Sequence, residues 1–513
     1  MQQALSSASS IREAPSLVPR RLRLPFEILL VTLAGALALT VNISHPPLVD
    51  WDEATYAEVA HEALHSHRIF DLTWNGAPYV KKPPLLFWMV TASFRILGES
   101  EVSARLPSVI AGIGTLVLMY LIAAPVIGRF GGLLAGLLPL GFYFFIARGG
   151  RECATDAPLL FFSTLAMYAL TRAPGRRLWL GVSGAACGLA ILSKGLAGVL
   201  PMIVAAGALV FIPGFSSIGM GGLIWMVGGA ALVAGPWCLY EALFNYPAFL
   251  TNYLGYETLR RVTTRLEDDQ LGADFALVTF GSEIKHLWPL LLPAAALALA
   301  SVRKGLLAAL RQIDSSIWLW LWWLIVTLAA ACAVQTRLPW YILPALIPTA
   351  LLAAAVPACA LRGGRVRTIS GVAALAALVL IGLHAPRRWR TINHAAQRQR
   401  RLSMPSYVLG MKARAAEAAN PGGELFFAGP PMPTLVYYSR MRCNFVETSE
   451  LAHVELVGAA SAPAKIRSHD AVLLDASGKA QVIGNLDHEW HWTTDGASTA
   501  PPTGATARLH AAE

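Results

Sequence analysis

The sequence predicts a polytopic α-helical membrane protein with about eleven transmembrane helices, plus or minus two, and a small C-terminal α/β domain. Composition is the first reason. Of 513 residues, 55% are hydrophobic and only 14% charged, against roughly 25% charged residues in a soluble domain. Long apolar runs recurring through most of the chain are the second reason. The third is that basic residues gather in alternate loops between those runs, as the positive-inside rule requires. The net charge of +10 is distributed between apolar runs and forms no continuous basic stripe, so nucleic acid is excluded as a partner.

Residues 1–25 are polar and basic, with Arg12, Arg20, Arg21 and Arg23, and read as a cytoplasmic segment. The apolar run 26–43 is longer than the roughly 7–15 residues of a signal-peptide core and precedes no convincing A-x-A site. It reads as the first transmembrane helix, which puts the loop at about 45–105 outside. Further runs lie near 106–124, 129–147, 156–171, 178–192, 195–212, 218–236, 287–302, 316–334, 339–357 and 368–385, all within a transmembrane domain over 26–386. The loops this assigns to the cytoplasm hold Arg129; Arg172, Arg176 and Arg177; Arg303, Lys304 and Arg311; and Arg362, Arg365 and Arg367. Arg387–Arg401 is basic yet placed outside by an odd helix count, where it is suited to anionic headgroups.

From 387 to 494 the composition suits an extracytoplasmic α/β domain. GELFFAG, TLVYYS and DAVLLD read as short strands and MPSYVLGMKARAAEAA as an amphipathic helix. Residues 495–513, rich in Pro, Gly, Thr and Ala, are expected to be disordered. The cysteines show no CxxC or metal-ligand spacing.

The outer loop carries charged chemistry that the apolar remainder largely lacks. Asp52 and Tyr56 are i,i+4, so a juxtamembrane helix over YAEVAHEAL puts a carboxylate and a phenol on one face. Lys81 and Lys82 precede Pro83 and Pro84, which mark a boundary before LLFWMV. In RECATDAPLLFF, Asp156 opens an apolar run, as a site acid or a helix cap. Lys194 lies between two apolar segments, either seeking a partner or snorkelling to water. Arg261 belongs to a charged loop with Glu257, Arg260 and Arg265, for which a merely solvated loop is the plainer reading. Arg337 and Tyr341 stand i,i+4 at the start of a span, where such pairs also serve as interfacial anchors. The topology places all these insertions on one side of the membrane, where a headgroup-level cavity would collect them. His61 and His65, again i,i+4, are spaced to chelate a divalent metal, or to face solvent on an interfacial helix. No other cofactor is indicated. Neither G-x-G-x-x-G nor G-x-x-x-x-G-K-[ST] occurs, which disfavours a nucleotide-sugar donor.

WDEATYAEVAHEAL, GAPYVKKPPLLFW, ARLPSVIAG, TDAPLLFF, LSKGLAGVLP and LPWYILPALIP, in that order between about Asp50 and Pro348, carry a resemblance. The chain resembles the dolichyl-phosphate-mannose protein mannosyltransferase family, in its bacterial branch near the aminoarabinose transferases of lipid A. The resemblance implies a GT-C fold and a glycosyltransferase of the bacterial inner membrane, acting at the outer face. It implies a sugar donor on a polyprenyl phosphate, a lipid A-like glycolipid acceptor, membrane lipids as surroundings and a monomer. It assigns catalysis to Asp52 and Asp156, the donor phosphate to Lys82, and donor-side or cavity positions to Tyr56, Lys194, Arg261 and Tyr341. Relatives often have Arg at Thr55, Glu at Lys81 and Lys at Arg337, so Lys81 and Arg337 are expected to share the phosphate contacts. A protein acceptor within the same fold, or a transporter or flippase, are the rival readings. A transporter calls for ionisable groups near mid-span, whereas here they cluster at one face.

Overall fold

The computed structural model describes residues 20–44, 47–219, 221–266, 274–291, 293–295, 314–362, 404–419, 421–446, 468–474 and 480–486, with 376, 379 and 390. The chain divides into two compact units. The first takes Met1–Ile43, Val80–Leu86 and Arg105–Ile392; the second takes Ser44–Tyr79, Phe87–Ala104 and Asn393–Glu513. The α/β elements near the C-terminus therefore share a unit with most of the outer loop.

In the first unit, helix α1 is Arg20–Thr40 and α4 is Glu101–Leu137. The latter is a hairpin. Gly128 takes a left-handed φ of 76°, and a Cβ on Gly132 would stand 2.7 Å from the Ala124 Cβ, so residues 129–137 return along 116–127. The expected pair of runs at 106–124 and 129–147 is thus two arms, the second ending in α5, Tyr143–Ala147. Helices α6 (Asp156–Arg172), α7 (Leu178–Lys194), α8 (Leu200–Phe211) and α9 (Gly221–Phe244) follow. The chain reverses after Lys194. Gly195 has φ 55°, and a Cβ on Gly198 would lie 2.2 Å from the Ile191 backbone nitrogen. Helices α7 and α9 touch through glycine: a Cβ on Gly184 would meet the Met226 carbonyl at 2.1 Å.

Helices Ser315–Ala333 and Leu343–Arg362 complete the described bundle, whose core includes Trp320, Trp323, Leu346 and Met167. Among the described residues, five helical stretches are long and apolar enough to cross a membrane. A polytopic helical membrane protein accounts for them. The expected span at 287–302 lies half outside the described residues, and the expected span at 368–385, the basic stretch Arg387–Arg401 and the 495–513 tail lie wholly or mostly outside them.

In the second unit, α2 (Asp52–Ser66) is followed by a hairpin of β1 (Thr73–Trp74) and β2 (Ala77–Pro78), then by α3, Leu85–Leu97, most of which belongs here. A four-stranded sheet has the order β4-β3-β5-β6, from β3 (Glu424–Ala428), β4 (Cys443–Val446), β5 (Asp470–Leu474) and β6 (Ala480–Asn485). Strands β3 and β4 are parallel; the other pairs are antiparallel. The expected helix is present at 404–419. TLVYYS differs from expectation: Pro433–Ser439 is a helix, with Pro433 in its first turn and every residue buried. Its β-branched and aromatic residues read as a strand, but burial on all sides removes the alternation that distinguishes one.

Two-way hydrogen bonds tie this unit together. The Asn75 side chain donates to the Cys443 carbonyl and accepts from the Cys443 N–H, each at 2.8 Å. Tyr438 accepts from the Leu48 N–H and donates to Glu101, also at 2.8 Å. The cysteines are all free.

Candidate active site

In the first unit, Asp156 is the first residue of α6, and Thr155, at the cap position, makes no capping side-chain bond. Asp156 turns its oxygens to cations instead of backbone. Lys194 Nζ donates to Oδ1 at 2.5 Å and Arg148 Nε donates to Oδ2 at 3.2 Å. The side chain of Lys194 is 18% exposed and that of Asp156 4%, so this lysine is partnered, not snorkelling to bulk water. The ring of Tyr341 lies 5.5 Å from Lys194 Nζ, and Arg148 stands over Trp340 at 4.2 Å, both within cation–π reach.

A second charged group adjoins the first. Lys82 donates to Glu257 Oε2, which also accepts from Arg261 Nε at 2.9 Å. Burial works to raise the Glu257 carboxyl, but the charges of Lys82 and Arg261 and their hydrogen bonds hold it below the ordinary carboxylate range. Lys82 is close enough to act electrostatically on Lys194. The Thr336 N–H donates to the Arg261 carbonyl and the Gln335 N–H to the Val262 carbonyl, each at 3.1 Å. These bonds bring the segment that leads into Arg337 beside the Arg261 backbone. Arg337 is half-buried and Lys81 is exposed.

The first unit therefore gathers Lys82, Asp156, Lys194, Arg261 and Tyr341 from loops far apart in the chain. It adds Arg148 and Glu257. Arg148 ends an apolar run, where a buried charge needs a partner; Glu257 carries no such signal, because its loop reads as solvated. That reading holds for Arg260 and Arg265, which are exposed, and fails for Glu257, whose side chain is 8% exposed.

In the second unit, Asp52 is the first residue of α2 and Tyr56 donates to its Oδ1 at 3.0 Å, as the i,i+4 spacing predicts. Tyr56 is buried and packs edge-on against Phe87 with centroids 5.5 Å apart. The helix start is braced: Glu53 accepts from the Val49 N–H at 3.0 Å, and Asp50 accepts from the Thr434 N–H at 2.9 Å. His61 Nδ1 and His65 Nε2 both turn to Glu99, at 2.7 and 2.6 Å, so neither histidine is a merely solvated residue.

The dolichyl-phosphate-mannose-protein mannosyltransferase family matches residues 81–240, a stretch containing Lys82, Asp156 and Lys194. The undecaprenyl phosphate-alpha-4-amino-4-deoxy-L-arabinose arabinosyl transferase of Pseudomonas paraeruginosa is 28% identical over 383 residues, 70% of this chain and 66% of that protein. An uncharacterized protein of Aquifex aeolicus is 28% identical over 249 residues, 46% of this chain and 48% of that one. The crystal structure of ArnT from Cupriavidus metallidurans bound to undecaprenyl phosphate matches with a TM-score of 0.64 at 18% identity, over 83% of this chain and 86% of that one.

The chain has the fold of that ArnT structure. The sequence matches span from about half to two thirds of these curated relatives' own length. Lys82 and Asp156, which the sequence reading expects to be site residues, each belong to one of the charged groups of the first unit.

Proposed function

We propose that this protein is a glycosyltransferase that moves a sugar from a polyprenyl phosphate to an envelope glycolipid of the lipid A type, at the outer face of the bacterial inner membrane. One observation carries the reading. Lys82, Arg148, Lys194 and Arg261 stand around two acids, Asp156 and Glu257, within a unit built largely of apolar helices. Such cations suit a lipid-borne phosphate, and the names of the relatives support that donor class.

In the proposed reaction the acceptor oxygen bonds to the anomeric carbon while the bond from that carbon to the phosphate oxygen breaks. The polyprenyl phosphate leaves with the electron pair. Lys82, Lys194 and Arg337 offset its growing charge, which a poorly hydrated site makes effective. For a hydroxyl acceptor Asp52 takes the proton, an effect worth roughly 10²- to 10⁴-fold; for a phosphate acceptor it orients the nucleophile. Direct displacement gives inversion. Asp156, engaged by Lys194 and Arg148, fits the role of holding those cations better than that of a nucleophile, which supports single displacement.

The test is transfer of radiolabel from a polyprenyl-phosphate sugar to membrane extract by the purified protein. Label in the glycolipid fraction, with a loss of at least about 100-fold for Asp52→Asn, is expected. Label in protein would move the acceptor to the rival class. Failure to label any acceptor, or equal labelling by Asp52→Asn, would sink the mechanism.

A further inference from the structure

Residues 61–65 read HEALH, the H-E-x-x-H order that on a helix turns two histidines to one face. Here they meet a third potential ligand, a carboxylate, from elsewhere in the same unit. Glu99, in the turn between α3 and α4, offers Oε2 to His61 Nδ1 and Oε1 to His65 Nε2. The two rings are 4.4 Å apart, and the three donor atoms lie within 4.8 Å of one another.

We propose that His61, His65 and Glu99 bind a divalent ion of the zinc class, as a structural clip between α2 and the turn before α4. Two imidazoles and a carboxylate suit zinc. Bonds of about 2.0–2.2 Å at tetrahedral angles put donors about 3.3–3.5 Å apart. Each nitrogen now 2.6–2.7 Å from Glu99 would need to retreat by less than about 1 Å. The side chain of His65 is 61% exposed, which gives an ion a way in and leaves room for water as a fourth ligand. Arg440 Nη2 lies 2.7 Å from Glu99 Oε2 and orients the carboxylate as an outer-shell partner does.

The clip is structural and not hydrolytic because the acid of the motif is committed elsewhere. Glu62 accepts from the Thr73 hydroxyl and, at 3.0 Å, from the Gly76 N–H, so it fastens the β1–β2 hairpin. The ion would stiffen the helix that carries Asp52 at its start. This inference stands apart from the proposed transfer reaction, since metal binding and transfer are measured separately.

The experiment uses full-length, tag-free protein in detergent. Zinc content is measured by mass spectrometry after gel filtration, and Co²⁺ is titrated while the visible d–d bands are followed. About one equivalent per chain, intense bands of a tetrahedral N/O site and displacement of Co²⁺ by Zn²⁺ are expected. Glu99→Gln and His65→Asn should each weaken Co²⁺ binding by at least about 100-fold, and Glu62→Gln should leave it unchanged. A wild-type protein that retains no zinc and gives no tetrahedral bands overturns the site and leaves a hydrogen-bonded His–Glu–His group. Because that comparison needs only the wild type, a variant that fails to fold does not obscure it.

Discussion

Asp156 in the first unit and Glu58 in the second are buried to a similar degree, with 4% and 6% of their side chains exposed. Their partners differ. Asp156 touches two cations at hydrogen-bond distance, whereas Glu58 has one guanidinium 3.9 Å away, and both Glu58 Oε2 and Arg440 Nη1 are buried without a hydrogen-bond partner. Burial therefore pushes the Glu58 carboxyl up to about 8; Arg440 offsets only part of this, and Glu62 and Glu99 add to it. Arg440 is drawn instead to Glu99. There burial works to raise the carboxyl, but hydrogen bonds from His61 and His65 and the Arg440 charge hold it at about 2. Contact geometry, not depth of burial, decides what each acid does.

The largest effect expected on this contrast is from Lys194→Ala. Breaking a buried pair leaves an uncompensated charge and costs about 3–5 kcal/mol, toward the lower end here because Arg148 stays with Asp156. Thermal unfolding in detergent measures it, and Asp156→Asn in the same background should recover much of the loss. A fall of less than about 1 kcal/mol would mean that the pair behaves as a solvated surface pair.

Glu58→Gln is the counterpart in the second unit. The folded-state value of about 8 stands above the ordinary 4.5, so the folded protein holds a proton that the unfolded chain releases. That contribution is complete below pH 4.5 and is lost as pH rises through about 8. The groups acting on it are Arg440, Glu62 and Glu99, with the Cys443 thiol also in reach. Glutamine mimics the protonated acid. The variant should lose this part of the pH dependence and exceed the wild type above pH 8 by on the order of 1–3 kcal/mol. Parallel pH profiles for the two proteins would remove Glu58 as the source.

Sequence reading reached these sites unevenly, for physical reasons. Hydropathy located both arms of the α4 hairpin because its bend falls at Gly128, between two apolar runs. Asp156 and Lys194 were legible because a charge beside an apolar span needs a partner, and each proved to be the other's. Arg440 and Glu99 lie far apart in sequence, and no local pattern pairs them. TLVYYS was misread because a fully buried short helix and a buried strand look alike in composition.

Tyr56→Phe probes the local order at Asp52. The phenol donates one hydrogen bond at 3.0 Å, and its ring packing against Phe87 survives the change. A stability loss of about 1 kcal/mol is expected. In the transfer assay the donor KM should stay nearly constant while kcat falls, because the substitution disturbs the carboxylate and leaves the cations in place. A change in KM alone would place Tyr56 on the donor instead.

The two adjacent lysines give the smallest stability effect and the sharpest internal control. Lys81 is exposed, while Lys82 is held by Glu257 and lies within electrostatic reach of Lys194. Lys81→Ala should therefore change stability by no more than about 0.5 kcal/mol, whereas Lys82→Ala leaves Glu257 with Arg261 as its remaining contact cation. In transfer the same asymmetry should appear in the donor KM, raised strongly by Lys82→Ala and weakly by Lys81→Ala. Lys82→Arg should restore only part of the function, because a planar fork does not replace a compact ammonium in that contact. Equal effects of the two alanine variants on KM would show that net positive charge in the loop, and not the placement of Lys82 against Glu257, governs the donor.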